Sequence, residues 1–162
     1  MVDVEIRGLG CWLGIFPYIE YELPTIKLMK NSLATIIGFF VAFIAVYIFE
    51  TLIGHRLFPF PEGADPSNME WVKNNMNQVP TGAKIMVVIA HFMGIVAGMF
   101  VAGLISKTSM VPAYIVGGLM LLATIATIIM LPKELWFSIS DIVLAVAGLL
   151  LGKSLAKRQL KI

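Results

Sequence analysis

The sequence predicts an all-α fold: an integral membrane four-helix bundle with antiparallel neighbouring helices and a long extracytoplasmic loop between helices 1 and 2. Three observations lead there. Of 162 residues, 59% are hydrophobic and 14% charged, against about 45–50% and about 25% in ordinary soluble domains. The excess is gathered in four windows: Asn31–Phe49 (19 residues), Ile85–Ser106 (22), Thr108–Pro132 (25) and Leu135–Gly152 (18), of which only the last holds a charge, Asp141. Each is close to the roughly 20 apolar residues that cross a bilayer. A single cysteine, Cys11, excludes a disulfide scaffold and an intrachain dithiol redox pair.

The first helix is expected over Leu33–Ile53, with Asn31 and Ser32 as capping oxygens and Gly54, Pro59 and Pro61 beyond its end. The second follows Pro80 and runs through 82–106. The third opens at Pro112, where the missing N–H costs nothing, and ends near 131; the fourth covers 134–151, stopped by Gly152. Strand readings of the β-branched runs Ala34–Val46 and Ile125–Leu131 fail because the apolar windows that hold them, 19 and 25 residues, far exceed the about 4–8 residues of a buried strand. Open sheet edges are also not tolerated in lipid.

Short connections around Lys107–Val111 and Pro132–Lys133 make antiparallel hairpins. The stretch from Gly54 to Thr81 is longer. In it, Asp65-Pro66-Ser67-Asn68 reads as a turn leading into a short helix, whose apolar stripe Met69, Val72 and Met76 suits a membrane surface. Residues 1–30 form an N-terminal segment, either interfacial (Trp12, Phe16, Tyr18, Tyr21) or an upstream extension ahead of Met29; residues 153–162 form a basic tail.

Basic residues near the span ends set the orientation. Lys27, Lys30, Lys107, Lys153, Lys157, Arg158 and Lys161 fall on one side, and Arg56, Lys73, Lys84 and Lys133 on the other, seven against four. The expected location is a bacterial inner (plasma) membrane, multi-pass, with both termini cytoplasmic.

An ionisable residue inside a span is a functional-site candidate by default. Three spans hold one each: Glu50, His91 and Asp141. Counted from the loop-side ends at 1.5 Å per residue, all three lie in one leaflet, where they make a candidate polar or proton-relay cluster. The alternative is that Glu50 pairs with His55 or Arg56 at the interface while His91 and Asp141 join helices by a hydrogen bond. His55 and Arg56 are also candidate lipid-headgroup or anion contacts. Ala90, Gly94, Gly98 and Ala102 recur every four residues, a small-residue stripe for close helix packing. Gly117-Gly118 and Ala145, Gly148, Gly152 offer similar surfaces, and Trp136-Phe137 an interfacial aromatic pair.

No P-loop, dinucleotide fingerprint, zinc-protease or nucleophile-elbow motif occurs. Catalytic, cofactor-binding and metal-ligating residues are therefore not assigned, no cofactor is expected, and an enzyme is the less favoured class. The basic tail is too short for a nucleic-acid domain and suits anionic headgroups. Membrane lipids are the expected partners, with a homo-oligomer or a membrane protein partner next.

The segment from Glu50 through Phe58–Gly63 and Asp65-Pro66, with three further spans of which the last opens at Trp136-Phe137, resembles small uncharacterised four-span bacterial inner-membrane proteins over roughly residues 29–160. That resemblance implies a layout and no activity. The function expected is thus structural, accessory or partner-binding; the alternative is a small proton-coupled transporter or channel-like oligomer using Glu50, His91 and Asp141.

Overall fold

A computed structural model describes residues 24–131 and 134–160. The expected interfacial aromatics before Pro24, and the Pro132–Lys133 connection, lie outside them. The described residues are helical with no strand, and four helices are long and apolar enough to cross a membrane. Helix α1 is Pro24–Tyr47; it continues as a seven-residue π-helix, Ile48–Gly54, and a last α turn, His55–Leu57. Helix α2 is Met69–Asn74, followed by a 3₁₀ turn at Met76–Gln78. The remaining spans are α3 (Thr81–Ser106), α4 (Val111–Met130) and α5 (Leu135–Lys157).

Three helix ends differ from the sequence expectation: the first helix, expected to stop before Gly54, continues through that buried glycine to Leu57, and two others have readable reasons. Within the described residues the first helix already runs from Pro24, so Asn31 and Ser32 are interior rather than caps. Asn31 instead accepts a 2.7 Å hydrogen bond at Oδ1 from Ser106 Oγ of α3. The last helix passes through Gly152 into the expected tail. Gly152 is buried against Met99, and one turn later Ala156 is buried against Gly103. Continued packing holds the chain helical where glycine alone would favour a stop.

Helix α3 is the hub. A Cβ placed on Gly98 would fall 2.8 Å from both Ala42 Cβ and the Gly38 carbonyl, and one on Gly94 would fall 2.7 Å from Val46. The stripe Ala90, Gly94, Gly98 and Ala102 is wholly buried, and its two glycines pack within the chain on an α1 stripe of Gly38, Ala42 and Val46. As α1 ascends from 38 to 46, its α3 partners descend from 98 to 94, so these helices are antiparallel. Helix α4 is likewise antiparallel to α3, with Val116 on Gly98 and Met120 on Gly94. Helix α5 lies against α3 through Gly148 and Gly152, and the Gly103–Ala156 contact closes the same seam. Gly117 packs on Leu149 and Met99, whereas Gly118 touches nothing, so only one of that pair serves packing.

Ile95, Met99, Val116 and Met120 form a buried centre with the alanines of these seams. Outside, Leu33, Ile36, Phe40 and Ile44 of α1, Leu122 and Ile129 of α4, and Val143 and Leu150 of α5 are exposed. Such continuous apolar surface is untenable in water, and hydrocarbon is the solvent that suits it.

Candidate functional site

The polar groups concentrate at the loop end of the bundle. His91 Nδ1 lies 2.7 Å from Asp141 Oδ1, linking α3 to α5 with the carboxylate fully buried. Seven residues nearer the loop on both helices (91 to 84, 141 to 134), Lys84 Nζ donates to Glu134 Oε1 at 2.7 Å. The equal step means that α3 and α5 run parallel in this region, so the two pairs are stacked rungs between the same helices. Lys84 is buried although it stands in the first turn of its helix. Glu134 also accepts from the Trp136 indole N–H. These hydrogen bonds, the one from Lys84 foremost, hold its carboxyl below the ordinary value of 4.5.

Beside the rungs is a cavity of about 170 Å³. Glu50, His55, Lys84 and His91 contribute its ionisable walls, and Thr127 of α4 and Phe137 of α5 help to close it. Its cover comes from the long loop. Asp65 Oδ1 accepts from the Ser67 backbone N–H and hydroxyl, and Asn68 Oδ1 caps α2 by accepting from the N–H groups of Glu70 and Trp71. The capped helix presents Met69 and Val72 to the cavity, and Met76 follows from the 3₁₀ turn. The stripe expected on a membrane surface therefore faces the bundle, where it roofs a polar chamber. Phe60 braces the cover, edge-on to His55 (4.9 Å between centroids) and to Trp71 (6.4 Å).

Of the three in-span candidates, His91 and Asp141 are bonded directly, and Glu50 shares the cavity wall with His91. Among the described residues no three His, Cys, Asp or Glu side chains gather closely enough to hold a metal ion. Glu50 sits in the π-helix, a form that is rare and frequent at functional sites. Its carboxylate has no hydrogen-bond or ion-pair partner among the described residues. His55 and Arg56 part company: His55 lines the cavity, and Arg56 is exposed. The aromatic pair also divides, since Trp136 is exposed while Phe137 is buried on the cavity side.

Sequence reasoning missed the Lys84–Glu134 rung, Thr127 and the roofing role of the loop. One signal was available: Lys84 and His91, like Glu134 and Asp141, are seven apart and so recur on one helix face.

The chemistry open to this arrangement is limited and specific. Asp141 fixes one ring nitrogen of His91, which leaves Nε2 as the proton-accepting or donating position. Glu50 adds a carboxyl group to the same wall, with no hydrogen-bond or ion-pair partner among the described residues. Comparison with protein-family models, with curated proteins and with solved structures finds no match for the chain. Fold and site together define a class: a multi-pass helical membrane protein with a lidded polar cavity at one end of its bundle.

Proposed function

We propose that this chain is a membrane accessory protein that binds a small ligand from one side, in the cavity bounded by Glu50, His55, Lys84 and His91. Supporting this is the contrast between the two ends of the bundle. Beyond His91 the seams close on glycines and alanines, and Ile95, Met99 and Val116 fill the centre. A polar chamber at one end above a closely packed core suits binding at one face. The seven-to-four bias of flanking bases favours cytoplasmic termini in a bacterial inner membrane, with the lid outside; Arg56 then lies at headgroup level as a lipid contact.

The position of Glu50 in a π-helix favours a second reading, a proton-coupled carrier, because reversion to α-helix would turn the carboxylate relative to its surroundings. Proteoliposomes with a trapped pH dye separate the two. Binding without transport predicts that an imposed proton gradient decays as it does in protein-free vesicles. Faster decay that Glu50→Gln abolishes establishes the carrier instead.

A further inference from the structure

Two of the ionisable groups around the cavity are joined to carboxylates of α5 or its N-cap. Lys84 is joined to Glu134 and His91 to Asp141, each at 2.7 Å. His55 lies against Phe60. Glu50 is left as the wall carboxyl with no partner among the described residues, and the elements packed around it offer no uncommitted lysine or arginine on the cavity wall. Opposite charge is what such a chamber lacks.

The rest of the lining sets size and shape. Phe60, Met69, Val72, Met76, Val87 and Phe137 give an apolar body to the space, and methionine side chains adapt to varied guests. Thr127 Oγ1 is committed to the Thr124 carbonyl, and Ser67 Oγ to Asp65, so neither hydroxyl proton is available to an anion. Acceptors remain at the Glu50 oxygens, at His91 Nε2 and on the His55 ring, and of these Glu50 is the carboxyl. At about 170 Å³ the chamber is close to the engineered cavity of roughly 150 Å³ that admits benzene.

From this inventory we propose that the cavity takes a small protonated alkylamine, its ammonium donating to Glu50 and His91 Nε2 and its alkyl chain lying among the methionines and phenylalanines. The proposal rests on the binding reading above and names the ligand class for that site.

The full-length protein in lipid nanodiscs at neutral pH, titrated with n-butylammonium by calorimetry, provides the test, with 1-butanol and butyrate as neutral and anionic counterparts of the same length. Saturable binding of n-butylammonium is expected, at least tenfold tighter than either counterpart. Glu50→Gln should weaken it at least tenfold while the protein still elutes as a single species, and Glu50→Asp should retain part of it. Equal binding of butanol and n-butylammonium would reduce the site to an apolar pocket. Preference for butyrate would make Lys84 and His91 an anion site. Unchanged binding by Glu50→Gln would remove the carboxylate from the argument. Any of these overturns the alkylamine assignment. A cavity that is reachable from the lid side yet binds no amine refutes only the ligand class; a cavity that no reagent reaches refutes the binding reading beneath it.

Discussion

His91 Nδ1 and Asp141 Oδ1 stand 2.7 Å apart across the α3–α5 seam, and the Asp141 side chain has no exposed surface. Removing one side of a buried polar contact costs about 1–3 kcal/mol. Asp141→Ala and His91→Ala should therefore each destabilise the detergent-solubilised protein by about that amount. The double variant should lose less than the two single losses added together, because the energy of the His91–Asp141 contact is then lost only once. Strict additivity in that cycle would show that the pair contributes nothing jointly.

The glycines of the bundle should divide sharply by position. Gly98→Leu has no room beside Ala42, Gly38 and Val116, and should leave little folded protein. Gly118→Ala meets nothing within 4 Å, and replacing a helical glycine gains up to about 1 kcal/mol. Thermal unfolding in one detergent checks both. Equal melting temperatures for the two variants would refute the packing described for α1, α3 and α4.

The Lys84–Glu134 rung predicts an acid-side loss of stability. The Glu134 carboxyl is held below its ordinary value in the folded protein by Lys84 and Trp136. Its contribution is therefore present above about pH 4.5 and is lost as pH falls through the lower, folded value. Melting temperature followed downward from pH 6 should decline in wild type and decline less in Glu134→Gln. Parallel curves would mean that the rung adds no pH-dependent stability.

The lid depends on a short capped helix. Asn68→Ala removes the acceptor for the Glu70 and Trp71 N–H groups, a loss of about 1 kcal/mol confined to the cover. Faster proteolytic nicking between Pro61 and Val79, with the melting temperature of the bundle unchanged, is the expected result.

Much of the bundle was legible because hydrocarbon imposes simple rules. Length and absence of charge located the spans, and four-residue spacing located the seam at Gly94 and Gly98. That seam's other half, Gly38, Ala42 and Val46, carries the same spacing, yet it is masked by the large apolar residues around it. Helix ends were less legible. Gly152 reads as a stop in isolation and is overruled by Met99, a residue distant in sequence. The His91–Asp141 pair was foreshadowed by equal depth from the loop-side ends. The cavity was not, because a roof depends on how the Met69, Val72 and Met76 face turns, and an amphipathic stripe fits a lipid surface and a bundle mouth equally well. The π-helix at Ile48–Gly54 had no sequence signal, since its hydrogen-bond shift involves no distinctive residue.

Access to the cavity can be measured directly. With Cys11, the chain's one cysteine, replaced by serine, Thr127→Cys places a single thiol on the cavity wall. A membrane-impermeant maleimide is then applied to sealed vesicles of each orientation. One-sided binding predicts modification from the face bearing the 58–80 loop, accelerated by Asn68→Ala, and protection from the opposite face. Modification from the opposite face, or from both, would contradict a chamber closed by the Gly94–Gly98 seam.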